Sequence, residues 1–201
     1  MSWYNFFSGF YDRSLERLYR PAREFAVERL ALEPGLTVLD CPTGTGQSLE
    51  LLSRAVGPEG RVIGVDLSSG MLARAGGRCE RSDLQNVQLI ASDVHQLDKD
   101  ITVDRLHIFL GLSAFDDWQA GFASLWQRLR PGGVCVVVDV HAARLGLQGR
   151  MVNLVARADI RRQTWSELES VGTDYTYEAM PPNRTYGGEL FVASGRKAQP
   201  S

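Results

Sequence analysis

Cysteine is scarce in this 201-residue chain, and the three present, Cys41, Cys79 and Cys135, are far apart and odd in number. No two stand at a C-x-x-C spacing, so neither a disulfide framework nor a zinc site is expected. A reducing, cytoplasmic compartment is the simplest reading. A surplus of either charge is also missing: 22 basic side chains stand against 24 acidic ones, a formal net charge of -2. Dedicated nucleic-acid binders carry a basic excess, so no nucleic-acid partner is expected. Lysine is almost absent; Lys99 and Lys197 are the only two, and every other basic residue is arginine. No apolar stretch approaches the roughly 18 residues of a membrane-spanning helix. The start, Met1-Ser2-Trp3-Tyr4, lacks a basic region followed by an apolar one, so no secretory leader is expected. Neither a fixed-period repeat nor a low-complexity segment is present.

What the chain has is 44% hydrophobic residues and 23% charged ones, enough to bury the core of a single domain without cross-links. Short β-branched runs alternate with helical patterns. Strands are predicted at 36–40, 61–66, 87–91, 103–110 and 134–140. Helices are predicted at 46–56, 68–81 and 116–129, the last with Phe122, Leu125, Trp126 and Leu129 at core-facing spacing. Residues 142–170 read as helical, and 173–179 and 189–194 as two closing strands with no helix between them. The pattern predicts an α/β, Rossmann-like doubly wound, mostly parallel seven-stranded sheet with an antiparallel C-terminal edge strand. Residues 1–31, with Trp3, Tyr4, Phe6, Phe7, Phe10 and Tyr11, read as a helical lid or appendage on a domain spanning 32–201.

In an open parallel sheet, ligands bind outside the carboxyl ends of the strands. Acids stand at three of those ends. Asp40 closes the first strand, before the glycine-bearing turn Cys41-Pro42-Thr43-Gly44-Thr45-Gly46. Such a turn lets backbone approach a ligand, and it also occurs as a plain strand-to-helix connection. Asp66 closes the second strand, placed to accept both hydroxyls of a ribose. Asp93, after the third, either accepts from an adenine amine, with Val94 offering its N–H, or caps the following turn. A dinucleotide fingerprint is only partly met, because Leu49 stands where a third small residue belongs. Asp40 would also repel a pyrophosphate but favour an ammonium and a sulfonium. The charge pattern therefore prefers S-adenosylmethionine over a nicotinamide dinucleotide.

Val38-Leu39-Asp40-Cys41-Pro42-Thr43-Gly44-Thr45-Gly46-Gln47 resembles the first motif of class I S-adenosylmethionine-dependent methyltransferases. Val62-Ile63-Gly64-Val65-Asp66-Leu67 is similar to their second-strand motif, and Ala91-Ser92-Asp93-Val94 to their adenine-contacting segment. Leu129-Arg130-Pro131-Gly132-Gly133 resembles the turn before strand five, and the stretch from Gly187 to Gly195 the last strand. The likeness covers residues 36–195, with one departure: Pro42 replaces the first glycine of the usual triplet and removes a backbone donor.

The resemblance implies that Asp40, Thr43, Gly44, Thr45, Gly46 and Gln47 hold the methionine portion and Asp66 the ribose. It implies Leu67 and Met71 against the adenine, Asp93 and Val94 at its edge, and Leu110 on the sulfonium side. Candidates for a proton-handling role are Tyr11 and His141, whereas His107, inside strand four, reads as structural. Arg20 is a candidate for the methionine carboxylate. The sequence after strand four, Leu110-Gly111-Leu112-Ser113, is not of the Asn-Pro-Pro-Tyr type, so a small molecule or lipid headgroup is the expected acceptor. Between 142 and 165, Arg144, Arg150, Arg157, Arg161 and Arg162 accompany Leu145, Leu147, Met151, Leu154 and Val155. This stretch reads either as a helix packed on its own domain or as a peripheral membrane contact. Two rival functions remain open: a catalytically silent S-adenosylmethionine-binding protein and an NAD-dependent oxidoreductase.

Overall fold

A computed structural model describes residues 3–199, with side chains for all of these except 3–15, 155, 156 and 184. The first helix, α1 (Trp3–Arg29), leads into alternating strands and helices: β1 (Thr37–Asp40), α2 (Leu49–Val56), β2 (Arg61–Asp66), α3 (Ser69–Arg81) and β3 (Val87–Ala91). After a short turn of 3-10 helix come β4 (Val103–Phe109), α4 (Trp118–Arg128), β5 (Leu129–His141), α5 (Leu147–Ala156) and α6 (Ser166–Val171). The chain closes with β6 (Thr173–Ala179) and β7 (Glu189–Arg196).

The seven strands form one sheet in the order β3-β2-β1-β4-β5-β7-β6. The pairs from β3 to β5 are parallel, as expected. β7 runs antiparallel to both β5 and β6, so the antiparallel C-terminal strand lies one place inside and β6 forms the edge. Strand order reverses between β1 and β4. Their following loops therefore diverge and open a crevice at the carboxyl rim.

Alternation along the central strands explains the layering. Val38 and Leu39, adjacent in β1, enter opposite cores, and Val136 and Val138 face away from Cys135 and Val137. One face is covered by Ala22, Ala26 and Leu30 near the end of α1, by Leu49, Leu52 and Val56 of α2, and by Ala75 of α3. The other takes Phe122 and Leu125 of α4 and Leu168 of α6. With both faces covered, β5 reads as the near-continuous apolar run seen at 134–140.

Several boundaries differ from those predicted: β5 begins at Leu129 rather than 134, so the stretch Leu129-Arg130-Pro131-Gly132-Gly133 read as a turn belongs to the strand, and β7 runs on to Arg196. α2 starts at Leu49 rather than residue 46, because Gly44 and Gly46 adopt positive φ of 56 and 79° and prolong the turn. The predicted helical stretch 142–170 is two helices separated by an irregular segment. Arg157 turns left-handed at φ 50°, and Asn153 holds the departing chain by accepting the N–H of Ala158 on its carbonyl and that of Ile160 on Oδ1. Among the described residues, no helix is long and apolar enough to cross a membrane.

Candidate functional site

β2 ends by delivering Asp66 to the rim, where its carboxylate is only partly buried. Oδ2 accepts the N–H of Gly44 and Oδ1 that of Ser68, each at 2.8 Å. Burial pushes the Asp66 carboxyl up, and the two N–H donors pull it partway back. Ser68 itself caps α3 by accepting the Met71 N–H at 3.3 Å, which leaves Asp66 free of capping duty. Beside it the Leu67 side chain is 74% exposed, a large apolar surface left in water at the crevice. Asp93 does serve as a cap, its Oδ1 accepting the His95 N–H at 2.9 Å, and Val94 is buried.

The turn after β1 is closed by backbone. The Thr43 N–H donates to the Val65 carbonyl and the Gly46 N–H to that of Thr43. A Cβ at Gly46 would meet Leu49 Cδ1 at 2.8 Å and Ala75 Cβ at 3.0 Å, so close packing of α2 and α3 demands glycine. At Gly44 a Cβ would find nothing within 4 Å, which leaves open space in front of the turn. The Thr45 carbonyl accepts Arg78 Nε at 3.4 Å.

Asp40 faces inward. Its Oδ1 lies 2.7 Å from His107 Nδ1, in register on the adjacent β4, and its Oδ2 accepts the Thr43 hydroxyl at 2.6 Å. Both partners are buried, and the His107 ring stacks on Phe109 at 5.6 Å. Asp40 therefore tightens the turn from below instead of presenting charge to the crevice. The preference over a nicotinamide dinucleotide drawn from its charge loses that footing.

α1 supplies a basic residue one turn from the one expected. Arg20 is exposed and pairs with Glu24 at 2.8 Å. Arg23 is buried: Nη2 donates to Gln47 Oε1 at 2.6 Å, and the guanidinium lies 4.8 Å over the Phe109 ring. The spacing Tyr19-Ala22-Arg23-Ala26-Leu30 places Arg23 on the buried stripe, a signal present in the sequence but overlooked. The side chain of Tyr11 lies outside the described residues.

On the other flank, the loop after β4 forms the rim. Leu110 adopts a positive φ of 52°, unusual for a branched side chain and a mark of local constraint. Gly111 packs on the Pro42 ring, whose Cδ would lie 2.6 Å from an added Cβ. The proline that departs from the family pattern is thus matched by a glycine on the facing strand end. Asp139 then fixes the loop, accepting the Ser113 N–H at 2.8 Å, the Ser113 hydroxyl at 2.9 Å and the Val140 N–H at 2.9 Å. Arg162 donates to the carbonyls of Ser113 and Phe115 from outside. An acid inside an apolar strand was the available hint to Asp139. His141, at the end of β5, is half-buried, edge-on to Trp165 at 4.8 Å. Its Nδ1 lies 3.3 Å from the Arg162 carbonyl, which can only accept, a contact that in the neutral imidazole places the proton on Nδ1 and leaves Nε2 as an acceptor.

These residues fit S-adenosylmethionine. A rim carboxylate with lone pairs to spare suits a ribose, the exposed Leu67 suits an adenine face, and the unfilled space at Gly44 admits close approach. Comparison with known proteins points the same way. A family model described as a methyltransferase domain matches residues 38–133. A demethylmenaquinone methyltransferase of Staphylococcus saprophyticus is 34% identical over 138 residues, 66% of this chain and 58% of that one. Another from Listeria welshimeri is 29% identical over 124 residues, 61% of this chain and 52% of that one. This chain spans little more than half the length of these curated relatives. Among solved structures, geranyl diphosphate C-methyltransferase of Streptomyces coelicolor superposes with a TM-score of 0.76 at 16% identity, covering 90% of this chain and 81% of that one. That likeness concerns the fold.

Proposed function

We propose that this chain carries a class I S-adenosylmethionine-dependent methyltransferase domain and methylates a small apolar acceptor of quinone type. The observation that carries the cofactor half is Asp66, held by two backbone N–H groups beside the exposed Leu67. The acceptor half draws on the relatives, whose names specify demethylmenaquinone. In this reading Asp66 takes the ribose hydroxyls, Leu67 and Met71 flank the adenine, and Asp93 and Val94 meet its edge. Thr43, Gly44, Thr45, Gly46 and Gln47 line the methionine portion, with Arg23 rather than Arg20 meeting its carboxylate. Asp40 acts at one remove, holding Thr43 in place. When bound, S-adenosylmethionine supplies an activated methyl group on a positively charged sulfur.

The chain's own work is alignment and exclusion of water, worth up to about 7–11 kcal/mol where geometry is held tightly. Leu110 and the loop clamped by Asp139 border the sulfonium side. His141, with Nε2 as an acceptor, is the candidate to take a proton from an acceptor hydroxyl. Of the 1–31 appendage, Ala22, Ala26 and Leu30 pack in the core of the domain at 32–201, so the part ahead of Pro21 is the proposed lid, and Tyr11 would reach the crevice from there. Pro21, which removes one helical hydrogen bond inside α1, gives that segment a place to bend.

The test is turnover: S-adenosylhomocysteine release with an acceptor panel that includes a demethylated naphthoquinol bearing a short, water-soluble tail. Product formed only with quinol-type acceptors supports the reading. Product with amines or nucleic acid and not with quinols overturns it. A second reading, an S-adenosylmethionine-binding protein without turnover, is favoured by Pro42, which lacks the N–H a glycine would offer there. Cofactor binding with no product from any acceptor would select it. An oxidoreductase would instead show thermal stabilisation by a nicotinamide dinucleotide.

A further inference from the structure

α5 leaves its apolar side in water. Leu147 is 84% exposed, Leu154 73% and Met151 58%, and their spacing of four and three residues puts them on one face. The opposite face is the packed one: a Cβ on the buried Gly149 would come within 2.9 Å of the Gly187 carbonyl and 3.3 Å of Ile160. Arg150 flanks the apolar stripe, with Arg144 before the helix and Arg157 after it, all exposed. No residue from Ala142 to Ala158 is acidic, and the next acid, Asp159, is paired with Arg161 at 2.9 Å.

Position adds to composition. α5 follows the carboxyl end of β5, and His141 pairs in register with Glu189, so the turn that α5 packs against stands on the same rim as the crevice. That turn is tied to α1, with the Tyr186 hydroxyl donating to the Leu18 carbonyl at 3.4 Å.

We propose that α5 is a docking helix that seats its Leu147–Met151–Leu154 stripe in an anionic bilayer, with Arg144, Arg150 and Arg157 at the headgroups. This rests on the apolar-acceptor reading above: docked this way, the crevice mouth sits next to the lipid in which such an acceptor dissolves. Charge selects the occupant. A two-fold contact with a second copy would set Arg150 against the partner copy's own arginines, a like-charge pairing that anionic lipid turns into attraction. Helices of this kind lie in the interface plane, buried about 5–10 Å.

The experiment is vesicle co-sedimentation of the full chain. Vesicles of equal parts phosphatidylglycerol and phosphatidylcholine are compared with phosphatidylcholine alone. Binding to the anionic vesicles is expected to exceed binding to neutral ones at least about tenfold, and to weaken near 1 M salt, where screening acts within about 3 Å. The L147Q/M151Q/L154Q and R144Q/R150Q variants are each expected to lose about tenfold, with unchanged melting and cofactor affinity, since these side chains are exposed. Equal binding to both vesicle types, no binding, or wild-type binding by either variant overturns the proposal. So does a concentration-dependent dimer abolished by L147Q/M151Q/L154Q, which would put a second copy on the stripe. Turnover of the water-soluble quinol without vesicles is read separately. If it persists while vesicle binding fails, only the docking falls; if it fails while vesicle binding holds, only the acceptor reading falls.

Discussion

Asp66 sits between two opposing influences, burial that disfavours its charge and backbone N–H groups that favour it, and burial dominates. Its proton therefore returns at a higher pH than on a free aspartate. Only the ionised form accepts from both ribose hydroxyls, so cofactor affinity is expected to fall as pH drops toward the carboxylate range, before the usual value of about 3.9 is reached. Ligand-induced thermal stabilisation measured from pH 7 downward checks this; a flat profile into that range would contradict it. Folding stability runs the opposite way. A carboxyl raised in the fold favours its protonated form, so its contribution is full at low pH and is lost as pH climbs through the raised value. Gly111 and Pro42 make a second residue-scale case. Adding a methyl group at Gly111 drives it into the proline ring, so G111A is expected to cost about 1–3 kcal/mol in urea unfolding. P42G in the same chain should return much of that loss, and additive losses would refute the pairing. Pro42 was visible in the sequence as a departure from the family pattern. Its partner was not, because nothing in the sequence brings residues 42 and 111 together until β1 and β4 are paired.

At the scale of elements, α1 carries the most consequence for the crevice. Its buried stripe turns Arg23 onto Phe109 and Gln47 and leaves Arg20 with Glu24 in solvent. R23M is expected to weaken S-adenosylmethionine binding about tenfold or more, consistent with about 1.5–3 kcal/mol for a hydrogen bond to a charged group. R20M is expected to leave it unchanged, since solvent screens that exposed pair. Titration of both variants decides between the two arginines, and the reverse order would restore the sequence expectation. The periodicity of α1 contained this distinction, since Arg23 falls on the stripe with Tyr19, Ala22, Ala26 and Leu30 and Arg20 does not. Elsewhere periodicity had less to offer. The break between α5 and α6 depends on Asn153 capturing the chain at Ala158 and Ile160, contacts that apolar spacing does not encode. The inward turn of Asp40 likewise depends on His107 arriving beside it from a strand 67 positions away.

For the whole molecule, the β-then-α alternation and the two helix-free closing strands were enough to read a mostly parallel sheet with an antiparallel end. Which strand forms the edge was not, because β7 slips between β5 and β6 through pairings that only the folded sheet defines. The reversal of strand order between β1 and β4 then turns separate strand-end residues into one rim, bringing Asp66, the Gly44 turn, Leu110 and His141 to the same side. If that rim is a cofactor site, its grip must pass through Asp66. Isothermal titration of S-adenosylmethionine into the full chain and into D66A is the most direct measurement. One site per chain is expected, with affinity at least about tenfold weaker in D66A while its melting transition remains cooperative. An absence of binding heat in the unsubstituted chain at saturating cofactor, or equal affinity in the two proteins, would contradict it.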